Sequence, residues 1–378
     1  MHILTTTASS LDDLVEPVDL GQTPGEVVIV SFADSDLGAL ARAQEVMAGQ
    51  GLAGPGLPSL RLANLRDLRH PMSVDLWIDK VGSRARIVVV RLLGGLDWWR
   101  YGVDRLSAEA RARGFALAVL PGEDRDDPRL AEASTLNEAE LATLLGYFRA
   151  GGPGNMAALL RVLAGYAGRA MASPPAPQNL PLAGFYAGSV ASPSPNPLPD
   201  GARAFASFPP PFSSLSPRRG EGRGEGPAAA AIPIIFYRSM ALAGDTAPVD
   251  ALCAALIARG LDPRPIYVAS LKEPTSIAFL KAALAGMEPA AILTLTAFAA
   301  ADPGADTVLD APGVPVLQAI VATTKRAAWV EGARGLTSAD LAMHVVLPEL
   351  DGRVLAGALS FKAPQETPAV PGFAALVN

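Results

Sequence analysis

Short β-branched runs alternate with amphipathic stretches from the start of the chain to about residue 120. Glu26–Ser31 (EVVIVS), Arg86–Leu92 (RIVVVRL) and Phe115–Leu120 (FALAVL) are nearly continuous apolar runs, the pattern of strands buried on both faces. Asp34 opens a helix carrying Leu37, Leu40 and Ala41 on one side as far as Val46. Trp98–Ala112 has helical spacing and stops at Arg113-Gly114, a good C-terminal signal. Strands separated by helices predict a parallel sheet covered on both faces.

From residue 137 to 170 the period becomes purely helical. Leu141, Leu144, Leu145 and Phe148 form one stripe, and Leu159, Leu160 and Leu163 another. Gly151-Gly152-Pro153-Gly154 breaks the chain between them, which predicts a helical hairpin. The βα rhythm then resumes. Strands are expected at Ile232–Tyr237, Pro265–Ala269, Ala291–Thr296 and Val314–Val321. A helix capped by Thr246, with Pro248 in its first turn and Val249, Leu252 and Leu256 on its buried face, ends before Gly260. A second helix spans Thr275–Ala285. The expected fold is α/β: two doubly wound (Rossmann/flavodoxin-like) parallel-sheet domains with an α-hairpin between them. The boundaries are 1–135 for the first domain, 136–172 for the hairpin, 173–231 for a linker and 232–378 for the second domain.

The linker contains an abrupt shift in composition. Ser192 to Gly226 is dense in Pro, Gly, Ser and Arg and has no period of strand or helix. Such a stretch buries too little apolar surface to offset its ordering entropy, so an insert over about 192–228 is expected to be disordered. It resembles the in-frame translation of a mobile intergenic repeat, which would give it no function.

At 378 residues, half of them hydrophobic, the chain can bury two ordinary cores. Its formal charge of −6 argues against a nucleic-acid or anionic-membrane binder. The N-terminus MHILTTTASSLDDL lacks the basic and apolar regions of a signal peptide, and no apolar run is long enough to span a membrane. The single cysteine, Cys253, excludes an internal disulfide framework and suits a reducing compartment. A cytoplasmic location is expected.

Several motifs carry chemistry only in the right setting. Gly152-x-Gly154-x-x-Ala157 has the letters of a dinucleotide fingerprint, but a helix is expected before it where that motif needs a strand; a hairpin turn is the better reading. No G-x-x-x-x-G-K-[ST] string occurs, so any ATP-driven work belongs to a partner. Glu123, Asp124, Asp126 and Asp127 could hold a hard cation, although such clusters are more often solvated turns. Ser73 or Asp75 would cap the helix after His70-Pro71, leaving His70 on a βα loop of the kind that binds ligands in open α/β sheets. A purely structural histidine is the alternative. Trp98, Trp99 and Tyr101 follow Gly94-Gly95 and either pack on the sheet or offer a flat surface to a macrocycle. Glu349-Leu350-Asp351-Gly352-Arg353 makes either a salt-bridged turn or part of a cleft.

Ordered strings on both sides of the insert take the reading further. Leu57-Pro58-Ser59-Leu60-Arg61-Leu62-Ala63-Asn64-Leu65, His70-Pro71-Met72-Ser73-Val74-Asp75 and Val90-Arg91-Leu92-Leu93-Gly94-Gly95 lead the series. Phe236-Tyr237-Arg238-Ser239, Ala243 to Leu252, Ser270 to Pro274, Val314 to Gln318, Arg334 to Met343, Leu347 to Gly352 and Ser360-Phe361-Lys362-Ala363 continue it. Together they resemble the large, tetrapyrrole-binding subunits of aerobic cobaltochelatases and their relatives, the magnesium chelatase H subunits. The chain departs from the family's Asn-Ala-Thr-x-Phe string at Thr294-Leu295-Thr296-Ala297-Phe298, and also at Met240 and His344.

The resemblance implies ATP-dependent insertion of Co2+, a substrate here, into hydrogenobyrinic acid a,c-diamide in cobalamin biosynthesis. Two AAA-type motor subunits would hydrolyse the ATP with its Mg2+. The alternatives are Mg2+ insertion into protoporphyrin IX, or a non-catalytic tetrapyrrole-binding or assembly module. Family members are far longer than this chain. The catalytic groups are therefore expected beyond residue 378, the second domain is expected to be truncated, and the chain alone is expected to be inactive. His70, Arg91, Glu349 and Asp351 are the candidate substrate-side residues; no metal ligands are assigned.

Overall fold

The computed structural model describes residues 16–49, 57–123, 127–169, 171–187, 229–300, 305–332, 335–364 and 368–377. They separate into two compact units. One is drawn from Met1–Arg149, Asn155–Pro174 and Glu366–Ala375, the other from Ala150–Gly154, Pro175–Gln365 and Leu376–Asn378.

In the first unit the apolar runs become strands β1 (Val27–Ser31), β2 (Leu60–Asn64), β3 (Ile87–Leu92) and β4 (Ala116–Pro121). All pairings are parallel, in the order β2-β1-β3-β4, with Val27 opposite both Leu60 and Ile87 and Ile87 opposite Ala116. Every residue of β1 and β3 is buried, which is why those runs read as continuously apolar. Helices α1 (Asp34–Met47), α2 (Pro71–Lys80) and α3 (Arg100–Arg113) follow the first three strands. On one face of the sheet Trp77, Ile78, Val103 and Leu106 pack against Val28, Val88 and Val90. Gly114 ends α3 in the left-handed conformation at φ 77°, as its sequence signal indicates. The helix starts later than its spacing suggests, because Leu96–Trp98 form a separate 3-10 turn. Strand β2 has no counterpart among the expected strands.

Helix α4 (Pro128–Ala133) is followed by α5 (Glu138–Ala150) and α6 (Pro153–Tyr166). Gly151 and Gly152 turn between the last two at φ 61° and 88°. A helix thus precedes the Gly152-x-Gly154 string, so no strand carries a phosphate loop there. The hairpin does not stand apart from the two units: its helices fall mainly in the first and its turn, Ala150–Gly154, in the second.

The second unit's sheet begins inside the expected linker. Strand β5 (Ala183–Phe185) pairs antiparallel with a later strand through Ala183 opposite Val268, so residues 183–185 are sheet rather than connector. The expected insert over about 192–228 lies outside the described residues. Strands β6 (Ala231–Tyr237), β7 (Asp262–Val268), β8 (Ile292–Thr294), β9 (Val316–Lys325) and β10 (Val354–Pro364) are mutually parallel, and β11 (Leu376–Val377) adds antiparallel to β10. The sheet order is β11-β10-β9-β8-β6-β7-β5. Period-two alternation sends Ile235 and Ile266 to one face with Leu280, Leu284 and Leu309. It sends Ile234, Phe236 and Tyr267 to the other with Val249 and Cys253.

The covering helices are α7 (Arg238–Ala243), α8 (Ala247–Ile257), α9 (Pro274–Ala285) and α10 (Arg326–Glu331). A further helical stretch runs from α11 (Ser338–Leu341) through a π turn (Ala342–Val346) into α12 (Leu347–Glu349). Thr246 sits at the N-cap of α8 but does not cap it through its side chain; its hydroxyl accepts from the Tyr186 hydroxyl at 2.9 Å. Strand β8 is shorter than its apolar run and β9 longer. Strand β10 is unexpected, its residues being exposed or half-buried along its length. Among the described residues no helix is long and apolar enough to cross a membrane.

Candidate functional site

Open parallel sheets bind ligands outside the carboxyl ends of their strands, where the strand order reverses direction. In the first unit that point lies between β1 and β3, and in the second between β6 and β8.

At the first rim, Ser31 ends β1 and its hydroxyl donates to Asp36 at 3.0 Å. Arg91, next to last in β3, pairs with Asp36 at 2.8 Å, with only 10% and 16% of the two side chains exposed. The guanidinium lies 4.8 Å from the centre of the Phe148 ring, a cation–π contact, and donates to the carbonyls of Pro121 and Gly122 at 3.5 and 3.4 Å. Burial pushes the Asp36 carboxyl above its ordinary value, outweighing the pull of Arg91 and Ser31 in the other direction. Arg91 is therefore one half of a buried ion pair that ties β3 to α1. Asp36 was invisible as its partner because the pairing joins residues far apart in sequence.

His70 lies on the connection from β2 to α2, as its sequence context suggests, but Ser73 and Asp75 do not cap the helix. His70 is itself the N-cap of α2, its Nδ1 accepting from the Met72 amide at 3.1 Å. Ser73 and Asp75 lie inside that helix; Ser73 accepts from the Val18 amide at 2.8 Å, and Asp75 accepts from Tyr101 at 2.7 Å and Arg105 at 2.9 Å. Pro71 at the first helical position moves the cap back onto His70. Of the aromatic cluster, Trp99 is buried and donates to the Leu68 carbonyl at 2.7 Å, whereas Trp98 is 64% exposed. Gly94, at φ 85°, lies under Trp98: a Cβ there would come within 2.2 Å of the indole.

The acidic string is partly spent on structure. Asp127 caps α4 and accepts from Arg129 at 2.8 Å and from the Leu96 amide at 3.2 Å; Asp124 and Asp126 lie outside the described residues. Among the described residues no three His, Cys, Asp or Glu side chains converge as metal ligands.

The second rim is built on a buried polar network. Arg353, whose side chain is 0% exposed, is the last residue before β10. Its Nη1 donates to the Thr296 carbonyl (3.2 Å), the Thr296 hydroxyl (3.3 Å) and the Gln318 side-chain oxygen (3.1 Å). Its Nη2 donates to the Phe298 carbonyl at 3.1 Å and to Asp351 at 2.6 Å. The same Asp351 oxygen accepts from the Ala300 amide at 2.7 Å. Thr294 and Thr296 share a hydrogen bond of 2.8 Å, and both are fully buried. The Thr294-Leu295-Thr296 string thus faces inward, not toward a ligand.

This network fixes an unusual backbone. Phe298 has φ 65°, a conformation that costs a non-glycine residue about 1–3 kcal/mol and persists only where its surroundings over-determine it. Here its amide donates to the Met343 carbonyl on the π turn at 2.8 Å while Arg353 holds its carbonyl. Phe298 is 49% exposed. Alongside, the Tyr237 hydroxyl donates to the Ala297 carbonyl at 2.7 Å, and Lys362 pairs with Asp245 at 2.6 Å. On the π turn, burial pushes the His344 imidazole below its ordinary value; Nε2 lies 3.9 Å from Asp340, and Nδ1 is buried with no hydrogen bond.

Asp351 and Arg353 form the salt-bridged turn that their spacing allowed, so Asp351 is committed to holding the loop after β8. Glu349, exposed at the end of α12, is the accessible carboxylate of that string. The four candidate residues divide between the units, with His70 and Arg91 in the first and Glu349 and Asp351 in the second.

The fold and these rims define a doubly wound α/β protein whose strand-end loops are tied down by buried charge. The comparisons carry this to a family. The CobN/Magnesium Chelatase family model matches residues 145–374. The chain is 38% identical over 366 residues to the aerobic cobaltochelatase subunit CobN of a Sinorhizobium species, and 36% identical over 371 residues to that of Pseudomonas aeruginosa. In each case the match takes in 96% of this chain and 27% of the relative. The catalytic subunit of cobaltochelatase from Mycobacterium tuberculosis superposes with a TM-score of 0.64 at 25% identity, over 93% of this chain and 26% of that structure. The chain belongs to the CobN/magnesium chelatase family, and it spans about a quarter of the length of these relatives.

Proposed function

We propose that this chain is the part of a cobaltochelatase large subunit that helps bind and position hydrogenobyrinic acid a,c-diamide for Co2+ insertion, with ATP hydrolysed by two AAA-type partner subunits. The observation that carries this reading is the match, end to end along the chain, to two relatives that both bear the cobaltochelatase subunit name. Cobalt is therefore preferred to magnesium, and a corrinoid to protoporphyrin IX.

Inserting a divalent cation into a macrocycle requires stripping water from the ion, bending the ring and removing its N–H protons. The geometry suits the binding side of that work. The rims present strand-end loops clamped by Asp36–Arg91 and Asp351–Arg353, with the exposed Trp98 and Phe298 rings beside them. Flat apolar rings of this kind suit a conjugated macrocycle, and fixed loops reduce the ordering cost of binding.

Titrating the purified chain with hydrogenobyrinic acid a,c-diamide and, in parallel, protoporphyrin IX, while following ligand absorbance and tryptophan quenching, tests the proposal. Saturable binding of the corrinoid, weakened by Trp98→Ala or Phe298→Ala, is expected. Preference for protoporphyrin IX, or no binding of either ligand, would overturn it.

A further inference from the structure

Among the described residues nothing pairs with the outer edge of β10 over most of its length. Strand β9 pairs with one side of it from Val354 to Lys362, whereas β11 reaches the other side only at Ala363 and Pro364. No residue of the strand is buried; Val354 is 59% exposed and Leu355 49%. The run Val354-Leu355-Ala356-Gly357-Ala358-Leu359-Ser360-Phe361 contains no charge and no proline.

A strand edge is a row of unpaired amides and carbonyls, and edges left to solvent are usually guarded by lysine, proline or short length. Register shifts against β9 between Leu355 and Gly357, and again near Ser360, give this one a partial guard. Its length and apolar character otherwise mark an edge meant to be covered. Strand β11 shows how. It lies antiparallel, with Val377 opposite Ala363 and Leu376 opposite Pro364, so a strand laid in the same sense runs along β10 from Lys362 toward Val354.

We propose that the Val354–Phe361 edge is an interaction surface that takes up one antiparallel strand from the remainder of the subunit. Most of the length of the curated relatives lies outside the matched quarter, and that polypeptide is the occupant we assign. Its chemistry follows from the edge: an extended, proline-free, apolar segment whose successive side chains lie beside Val354 on one face of the sheet and Leu355 on the other, held by main-chain hydrogen bonds. The inference rests on family membership and not on the corrinoid reading, so the two can fail separately.

Overlapping synthetic peptides tiling the unmatched portion of the Sinorhizobium relative, offered to the intact chain, provide the probe. A binding peptide should slow hydrogen exchange of the Leu355–Phe361 amides and cross-link with its N-terminus near Lys362. Leu355→Lys should weaken binding at least tenfold. Ala356 has no partner residue on β9, so Ala356→Pro spares that register and should weaken binding similarly; unchanged exchange in β9 checks that either variant is folded. Four outcomes would overturn the proposal: no peptide protects β10, binding is indifferent to both variants, the peptide runs in the opposite sense, or the chain alone dimerises with β10 protected, which would assign the edge to a second copy.

Discussion

Removing the Asp351 carboxylate tests whether buried charge holds the second rim. The pair it forms with Arg353 is 4% and 0% exposed, so Asp351→Ala leaves a guanidinium in the interior without its counter-charge. Breaking a buried pair in this way costs about 3–5 kcal/mol, most of it the penalty of an uncompensated buried charge. The Ala300 amide also loses its acceptor. Arg353→Met alone leaves the Asp351 carboxylate buried without its counter-charge and strands the Phe298 carbonyl and the Gln318 oxygen, each worth about 1–3 kcal/mol if it stays dry, while the Thr296 carbonyl keeps its bond from Gln318. The double variant should therefore be less damaging than the two single effects added together, by roughly 1–3 kcal/mol. Because the chain has two units, a single global melting curve is the wrong observable. Native-state hydrogen exchange of β8 and β9 amides reads the second unit alone. Additivity within about 0.5 kcal/mol, or a loss below about 1 kcal/mol for Asp351→Ala, would refute the reasoning.

Gly94→Ala should destabilise the first unit by about 1–2 kcal/mol, because φ 85° suits glycine and the new methyl meets Trp98; Gly38→Ala, in open space within α1, should instead stabilise it by about 0.4–1 kcal/mol, and exchange in β1 and β3 distinguishes the two. Glu273 caps α9 by accepting from the Ser276 hydroxyl at 2.7 Å and from the Thr275 and Ser276 amides at 2.8 and 2.6 Å, and these bonds, the hydroxyl's first, hold its carboxyl down at about 2 against an ordinary 4.5. A depressed folded value means that its stabilisation is present above pH 4.5 and is lost as pH falls toward 2. The Ser276 amide resonance should titrate near pH 2, and Glu273→Gln should abolish that titration; a midpoint at 4.5 would contradict the cap.

The strands buried on both faces were legible because burial demands continuous apolar sequence. Strand β2 was not. Its Leu60-Arg61-Leu62-Ala63-Asn64 run carries a buried arginine, which the fold tolerates because the guanidinium donates to the carbonyls of Thr23, Leu60 and Pro24 at 2.7–2.8 Å. Strand β5 is short and lies among proline and glycine, so only its pairing with β7 reveals it. Strand β10 lacks the buried alternation that announces a strand, because neither of its faces is fully covered. The candidate residues were legible as types but not as partnerships. Nothing local to Arg91 points to Asp36, and Asp351 looked like a ligand group until the Ala300 amide was found against it. The cap of α2 was expected at Ser73 or Asp75 and falls on His70 because capping by a histidine is less common than capping by serine or aspartate.

The order in which the chain supplies its two units bears on how it is made. Residues 368–375 return to the first unit, where the carbonyl of Gly372 accepts from Gln22 at 3.2 Å, after the second unit's parallel strands have all been passed. Domains that form as they leave the ribosome normally finish in sequence order. Here the first sheet waits for a segment translated only after the second unit's parallel strands, so it is unsealed while those strands are made. A nascent-chain stall before residue 366 should leave that sheet sensitive to protease, and translation past it should seal it.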